Sequence, residues 1–230
     1  MMIHRRILAP LALLAFLPLA APAAAQGQDW SRIVTLAPNG AFVLGNPKAP
    51  ARLIEYFSYT CPHCGHFEAE GAPSLKAQWV RRGLVALEYR NYVRDAFDLS
   101  AALLARCGGA TRFLGNHEVL FANQQAWLDK AQAFEGSAAP DDRLGAITQI
   151  ADKTGLFALL AKRGITPAAQ RQCLADKQAM AVVLGLTAGA NDVADFTGTP
   201  FFILNGKPLR DVHAWAQLQP LLPALPRSGK

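Results

Sequence analysis

The sequence is poor in the features that mark a nucleic-acid-binding or membrane-spanning protein. Only 17% of its 230 residues are charged, and the net charge of +6 comes from scattered basic residues that form no stripe. A basic stripe with interleaved aromatic residues would indicate a nucleic-acid partner, so none is expected. No internal repeat or low-complexity tract follows the first 25 residues. With 51% hydrophobic residues, the chain suits a folded globular protein with a sizeable core.

The one long apolar run, from Ile7 to Ala20, is too short and too interrupted for a membrane anchor. A span needs roughly 20 apolar residues, and Pro10 and Pro18 break this run. A positively charged start precedes it, and three small residues that end at Ala25 follow it. This pattern predicts a secretory signal peptide that is cleaved near Ala25. No cysteine lies near the cleavage site, so a lipid anchor is not expected.

Cysteine is scarce as well: there are four, and all of them follow the predicted signal peptide. Cys61 and Cys64 form a tight pair, whereas Cys107 and Cys173 stand far apart. Oxidising compartments outside the cytoplasm permit disulfides in such a chain. A structural zinc site would need a second ligand pair of similar spacing, and the two distant cysteines do not supply one. The sequence therefore predicts no metal site.

The position of the tight cysteine pair predicts thiol–disulfide exchange. A β-prone, mostly apolar segment, Arg52–Phe57, precedes it, and Pro62 suits the first turn of a following helix. The start of a helix offers the Cys61 sulfur the positive end of a dipole, which lowers the pKa of a thiol. Cys61 is therefore predicted to be the nucleophile and Cys64 the resolving cysteine. The alternative is a structural disulfide between the two.

The chain changes character twice, which predicts an α/β domain with a helical insertion. From Phe42 to Tyr92 the pattern is strand, helix, strand. Alanine and leucine then recur at helical spacing, and no strand is expected until Phe201–Leu204, which a hairpin turn at Asn205-Gly206 follows. The predicted division is a signal peptide at 1–25, a first α/β part at 26–95, a helical insert at 96–190 and a second α/β part at 191–230.

Finer boundaries are predicted as well. The helix after the cysteine pair runs toward Arg82, and Gly71 and Pro73 are expected to kink or break it. A strand follows at Leu84–Val93. Four further helices are predicted at Phe113–Leu128, Asp142–Phe157, Pro167–Asp176 and Gln178–Gly189. A loop is predicted at Gly136–Pro140. A closing helix is predicted at Val212–Leu222.

Two motifs in this order, EYFSYTCPHC at Glu55–Cys64 and GTPFFI at Gly198–Ile203, closely resemble those of the DsbA-like thiol:disulfide oxidoreductases of the thioredoxin superfamily. The resemblance extends over nearly the whole chain after the signal peptide. It implies a thioredoxin fold with an inserted all-helical domain. It also implies a periplasmic enzyme that oxidises dithiols of exported polypeptides without a cofactor and is reoxidised by a quinone-linked membrane protein.

The resemblance also implies site residues. Pro200 would be the cis-proline beside Cys61, and the backbone at Thr199 and Pro200 would pair with an incoming peptide as an added strand. The alternative is an ordinary trans proline at a strand start. Glu55 would lie under the disulfide and relay protons to and from the resolving cysteine; the alternative is a solvated glutamate that faces an edge.

His63, between the two cysteines, is predicted to donate a hydrogen bond or positive charge toward the Cys61 sulfur, which would favour the ionised form. The alternative is an exposed loop histidine. Cys107 and Cys173 resemble a branch of the family with a second disulfide in its helical domain. Such a bridge would stabilise the fold by roughly 4 kcal/mol through loop closure; the alternative is two free buried thiols.

One position departs from the family pattern. The best-known oxidases carry valine before the cis-proline, whereas this chain has Thr199, which some isomerases also carry. A disulfide isomerase or reductase therefore stays an alternative to an oxidase. Those isomerases have a separate dimerisation domain before the thioredoxin unit; only residues 26–41 precede it here, so a monomer is expected. A non-catalytic peptide-binding chaperone is the alternative from outside redox chemistry.

Overall fold

The computed structural model describes residues 28–134, 136 and 141–226. Within these ranges a single sheet contains six strands: β1 (Val34–Leu36), β2 (Phe42–Leu44), β3 (Ala51–Phe57), β4 (Val85–Asn91), β5 (Phe201–Leu204) and β6 (Lys207–Leu209). The helices are α1 (Pro62–Glu70), α2 (Ala72–Leu75), α3 (Ala96–Ala105), α4 (Ala110–Ala122), α5 (Gln124–Gln132), α6 (Arg143–Lys153), α7 (Leu156–Ala161), α8 (Pro167–Ala175), α9 (Lys177–Ala190) and α10 (Trp215–Leu218).

The strand that precedes the cysteine pair lies inside the sheet, whose order is β1-β2-β4-β3-β5-β6. β3 is parallel to β4 and antiparallel to β5. Parallel neighbours require a crossover connection, which α1 and α2 provide here. Because both flanks of β3 are paired, its mostly apolar residues are largely buried. The prediction of a buried central strand is confirmed.

The helix after the cysteine pair is broken at Gly71 and Pro73, as predicted. α1 ends at Glu70, and α2 and a π-helical turn at Lys76–Val80 complete the segment. At Gly71 the C-terminal part of the chain approaches closely, because an added Cβ would lie 2.9 Å from the Trp215 side chain. A larger residue would push α10 away from this corner.

Helices α3 to α9 form the block between β4 and β5, and the described part of this block contains no strand. α8 and α9 confirm two of the predicted helices. The prediction of one helix at Phe113–Leu128 is wrong, because α4 ends where the Asn123 side chain donates 2.8 Å to the Val119 carbonyl. Asp142–Phe157 is also two helices, α6 and α7, since Gly155 adopts a left-handed φ of 84° between them.

A disulfide ties the end of α3 to α8. It joins Cys107 and Cys173, which lie 66 residues apart in the sequence and have Cα atoms 5.6 Å apart. This is the pairing that the family resemblance implies. The bridge closes a loop that includes α4 to α7, so it restricts the unfolded chain over most of the helical block.

The C-terminal segment begins with the predicted hairpin. Asn205 and Gly206 connect β5 to β6 with φ values of 51° and 79°, the positive φ pair that two-residue hairpins favour. The closing helix predicted at Val212–Leu222 is wrong in extent. α10 has four residues, and a 3₁₀ turn at Gln219–Leu221 follows it, because Pro220 lacks the N–H that a continuing α-helix needs.

β1 was not identified from the sequence, and β2 was not separated from the segment around Phe42. Each has three residues, which is too short for alternation to be visible. Among the strands that the structure describes, β1 forms an edge of the sheet and pairs with β2.

The hydrophobic core continues from the sheet into the helical block. Phe57 of β3 and Leu87 of β4 belong to the same buried cluster as Leu103 of α3 and Leu120 of α4. The helical block therefore shares its core with the sheet. The division at residues 95 and 190 stays a prediction.

The predicted signal peptide at 1–25 lies outside the described residues, as do residues 137–140 of the predicted loop. None of the helices that the structure describes is long and apolar enough to cross a membrane.

Candidate active site

The first cysteine of the pair occupies the junction between the central strand and the first helix. β3 ends at Phe57, and Cys61 is the N-cap residue of α1, with Pro62 at the first helical position. The Cys61 side chain makes no capping hydrogen bond in this structure. The N–H groups of the first turn, which have no partner within the helix, therefore face the Cys61 sulfur.

These surroundings lower the pKa of Cys61 from an ordinary 9.0 to about 5. A hydrogen bond from the Cys64 side chain has the largest effect, and burial opposes it. Hydrogen bonding with Thr199 and with the backbone N–H groups of Cys64 and His63 contributes further lowering. At neutral pH the Cys61 sulfur is therefore a thiolate, the form that attacks disulfides.

The second cysteine has the opposite character. Cys64 is fully buried, and burial holds its pKa well above 9.0. Its hydrogen bond to Cys61 and the negative charges of Cys61 and Glu55 act in the same direction. Both cysteines are free in this structure. The pair therefore consists of one thiolate and one protonated thiol that donates to it.

Thr199 and Pro200 lie against the cysteine pair, as the sequence predicts, and the peptide bond between them is cis. In the thiol form Cys61 Sγ donates to the Thr199 carbonyl oxygen over 3.1 Å. The Pro200 carbonyl oxygen lies 3.1 Å from His213 Nδ1. Because a carbonyl only accepts, Nδ1 carries the hydrogen here. The carbonyl oxygens of Thr199 and Pro200 therefore accept hydrogen bonds from two different residues, Cys61 and His213.

Glu55 lies beneath the pair on β3. It is fully buried, and neither carboxylate oxygen has a hydrogen-bond partner. Desolvation raises the pKa of Glu55 well above 4.5, and the nearby charge of Glu68 raises it further. The alternative of a solvated, edge-facing glutamate is wrong, because β4 and β5 pair with β3 on both sides of this position. A buried carboxyl that prefers its neutral form can hold a proton near Cys64.

A second buried glutamate close by behaves differently. Burial disfavours the charged form of Glu68, but His117 and Lys76 hold its pKa below 4.5. Glu68 Oε1 lies 3.1 Å from His117 Nε2, and Oε2 lies 3.7 Å from Lys76 Nζ. The other ring nitrogen of His117 is 2.9 Å from the Tyr59 hydroxyl. Glu68 of α1 and His117 of α4 therefore connect the cysteine helix to the helical block.

The predicted contact between the His63 ring and the Cys61 sulfur is not among the contacts of the described residues. The side chain is exposed, and its ring centroid lies 6.5 Å from that of His66. The backbone N–H of His63 is the group that favours the thiolate. A role for the imidazole stays a prediction.

An aspartate from the helical block fixes the turn before Cys61. Asp98 of α3 accepts from Ser58 Oγ over 2.6 Å and from the Tyr59 N–H over 2.8 Å. Asp98 is fully buried, and this burial raises its pKa to about 7 even though the hydrogen bonds favour the ionised form. The turn that presents Cys61 thus depends on a side chain from the insert.

Sequence reasoning missed four residues at this site: Asp98, His117, His213 and Gln124, whose Nε2 donates to the Cys61 carbonyl over 2.8 Å. Asp98 is a polar residue inside a mostly apolar helical stretch, which is a signal that the sequence does contain. Gln124 and His117 carry no such signal, since polar residues flank each of them, and His213 lies in a segment of mixed character. Across the ranges that the structure covers, no group of three or more His, Cys, Asp or Glu side chains could hold a metal ion.

Comparison with known proteins agrees with this geometry. The family model described as Thioredoxin matches residues 38–224. The chain belongs to the thioredoxin superfamily, and it is DsbA-like. The fold is correspondingly an α/β thioredoxin fold with a helical insertion, as the sequence predicts.

Several relatives of this DsbA-like chain are known. Its sequence is 34% identical to that of a protein-disulfide isomerase from Novosphingobium aromaticivorans. The crystal structure of that isomerase matches this structure with a TM-score of 0.70, over 78% of this chain and 93% of the isomerase chain. A variant of α-DsbA1 from Wolbachia pipientis is 25% identical, with a TM-score of 0.59 over 74% of this chain and 76% of that one. A protein of Rickettsia conorii that is named as a protein-disulfide oxidoreductase is 32% identical over 165 residues.

The alignment with the Rickettsia protein covers 71% of this chain and 53% of that protein. The chain therefore spans about half the length of the curated relatives that it matches.

Proposed function

We propose that this protein is a thiol:disulfide oxidoreductase that oxidises dithiols of exported polypeptides. The observation that carries the proposal is the opposite ionisation of the two cysteines. The pKa of Cys61 is lowered to about 5, while burial raises that of Cys64. Because only the reduced enzyme contains the thiolate, stabilising it makes the Cys61–Cys64 disulfide a stronger oxidant.

The reaction begins with the enzyme in its disulfide form. A substrate thiolate attacks Cys61 Sγ, a mixed disulfide forms, and the bond to Cys64 breaks so that Cys64 leaves as a thiolate. A second substrate thiolate then attacks the substrate sulfur of the mixed disulfide, and Cys61 leaves as a thiolate. Two electrons pass from the substrate dithiol to the enzyme, and the substrate gains a disulfide.

Glu55 supplies the proton for the buried leaving group. A Cys64 thiolate is unfavourable in this fully buried position. The neutral Glu55 carboxyl, whose pKa is raised by burial, gives its proton to Cys64 and recovers one when the disulfide is re-formed. A carboxyl that burial keeps protonated is suited to donating a proton in this way.

Substrate binding is assigned to the backbone at Thr199 and Pro200. An extended peptide that adds as a strand beside this segment is read through its main chain, so specificity is broad. The proximity of the Thr199 carbonyl to Cys61 Sγ, 3.1 Å, brings such a peptide to the reactive sulfur.

The location and the partners follow from the family resemblance and the predicted signal peptide at residues 1–25. The periplasm supplies exported polypeptides with free thiols. A quinone-linked membrane thiol oxidase is the proposed electron acceptor that returns Cys61 and Cys64 to the disulfide form. The enzyme needs no diffusible cofactor, because the cysteine pair carries the electrons, and we expect it to act as a monomer.

Two measurements test the oxidase proposal. Equilibration with glutathione should give a reduction potential of about −180 mV or higher, and a value near the roughly −270 mV of thioredoxin would contradict an oxidase. A Cys64→Ala variant should accumulate mixed disulfides between Cys61 and exported proteins, which mass spectrometry can identify. If no such adducts form in cells, exchange is not the activity.

A second candidate is disulfide isomerisation or reduction. Thr199 favours it, and the Novosphingobium relative is named a protein-disulfide isomerase. Refolding of a protein with scrambled disulfides distinguishes the two activities, because an isomerase restores native pairing from mismatched bonds. A non-catalytic chaperone would retain its full activity in a Cys61→Ala variant, whereas either redox function would be lost.

A further inference from the structure

We propose that Gln124, at the start of α5, is a positioning residue that fixes the backbone around Cys61, and that Gly65 is the position on α1 that admits it. This inference rests on the proposed function, because it concerns how the reactive thiolate is held. It assigns part of the chemistry of the cysteine pair to the helical block.

Gln124 uses both of its amide hydrogens on the active-site turn. Nε2 donates to the Tyr59 carbonyl over 2.8 Å and to the Cys61 carbonyl over 2.8 Å. The side chain is buried, so these backbone oxygens are shielded from water and depend on this donor. One side chain thus connects the residue two before Cys61 with Cys61 itself.

The Cys61 carbonyl is the first acceptor of α1. It also receives the Gly65 N–H over 3.2 Å, which is the i to i+4 bond that begins the helix. The peptide planes of this first turn aim the His63 and Cys64 N–H groups that favour the Cys61 thiolate. Holding the Cys61 carbonyl therefore holds the donors around the sulfur.

Gly65 directly follows the Cys-Pro-His-Cys motif and lies inside α1, where glycine is an unfavourable residue. A Cβ at this position would overlap Gln124 Oε1 and lie 3.0 Å from Gln124 Cδ. The side chain that donates to the turn thus occupies the space that any larger residue at position 65 would need. Gly65 and Gln124 form a complementary pair from two parts of the fold.

Gln124 is itself well anchored. α5 begins directly after Asn123, whose side chain ends α4. One turn further along, buried Trp127 donates to the Leu120 carbonyl over 3.1 Å. The contacts of Asn123 and Trp127 fix the start of α5 relative to α4, so Gln124 has a defined place beside the cysteine helix.

The first test is a Gln124→Met variant, which keeps the volume and removes both donors. The rate of Cys61 alkylation by iodoacetamide is measured in the reduced protein from pH 4 to pH 9. We expect the pKa of Cys61 to rise by about one unit, because the aligned N–H groups stabilise the thiolate. Alkylation at pH 5 should then slow about fivefold, with little change at pH 8.

The matched control is Gln125→Met, the same change one residue along on the exposed face of α5, and it should leave the alkylation profile unchanged. If the profile of Gln124→Met coincides with that of the control, the inference is wrong. If the wild-type protein itself shows no lowered pKa for Cys61, the proposed function fails instead, so the two failures can be told apart.

A variant of Gly65 tests the same inference independently of the Gln124→Met substitution. Gly65→Ala should displace the unchanged Gln124 and raise the pKa of Cys61 in the same way. In a Gln124→Ser background, where the space is empty, Gly65→Ala should add no further shift. Independent, additive shifts would contradict the pairing. Far-ultraviolet circular dichroism and thermal unfolding of each oxidised variant establish that it is folded.

Discussion

The two cysteine pairs of this protein show how position decides what a pair of thiols does. Cys61 and Cys64 are free and lie at the start of a helix, where Cys61 is the N-cap residue. Cys107 and Cys173 form a disulfide that joins two helices of the insert. In the first pair, hydrogen-bond donors surround one sulfur and burial isolates the other, so the two ionise differently. The first pair is therefore suited to thiol–disulfide exchange, whereas the second forms a structural disulfide.

Loss of Cys61 should have the largest effect on catalytic activity. If the variant stayed active, the contrast between the two cysteine pairs would be wrong. In Cys61→Ala we expect oxidation of a dithiol peptide to fall to the uncatalysed rate, because the Cys61–Cys64 disulfide cannot form and no sulfur is left to accept the substrate in a mixed disulfide. Peptide fluorescence after stopped-flow mixing gives the rate. Activity above background would mean that another thiol carries out the exchange.

Loss of the second pair should change stability and leave chemistry intact. Replacing both Cys107 and Cys173 by alanine should lower the free energy of unfolding by roughly 4 kcal/mol, because the unfolded chain regains the freedom of a 66-residue loop. Denaturant unfolding measures this change. Peptide oxidation under native conditions should stay within about twofold of wild type, and a large loss of activity would make the second pair a redox centre.

Glu55→Gln sharpens the contrast, since this acid serves only the first pair. Glutamine cannot supply a proton to Cys64, so we expect formation of the mixed disulfide to slow by about tenfold or more. Rapid acid quenching of the reaction with a model peptide gives this rate. Glu70→Gln, the same change at an exposed position at the end of α1, is the control and should react as wild type does.

The ionisation of Cys61 should also appear in the pH dependence of stability. The pKa of Cys61 is about 5 in the folded reduced protein and close to 9.0 when unfolded. Between these values the unfolded chain binds more protons, so stability rises with pH, is fully present above pH 9 and is lost as pH falls through 5.

The expected slope is up to about 1.4 kcal/mol per pH unit for one proton. Urea unfolding of reduced wild type and of Cys61→Ser at several pH values isolates this contribution. Parallel curves for the two proteins would contradict the lowered pKa.

The sequence was sufficient for the parts of the site that lie within one short segment or one motif. The order of β3, Cys61 and α1 follows from local patterning, and the family motif located Pro200 and the buried Glu55. The polarity of Asp98 inside α3 is visible in the sequence, but its partner is not, because it reaches Ser58 from 40 residues away through the packing of α3 against the turn. Gln124 bridges 65 residues to Tyr59 in the same manner.

The parts of the fold that were missed have equally specific causes. β1 has too few residues to show alternation. The break between α4 and α5 coincides with one hydrogen bond from the Asn123 side chain to the Val119 carbonyl, which sequence spacing does not reveal. The early end of α10 follows from Pro220, which cannot donate the backbone hydrogen bond that a longer α-helix would need.

The attachment of the turn before Cys61 to Asp98 has a consequence for attempts to simplify this protein. Excising residues 96–190 to leave a minimal thioredoxin domain would take away the carboxylate that receives Ser58 Oγ and the Tyr59 N–H. Both donors would lose their buried acceptor, and the cysteine pair would keep its place in the sequence without the support that shapes its surroundings. The insert is therefore a structural component of the catalytic turn, and a shortened version would have to supply a new acceptor at the position of Asp98.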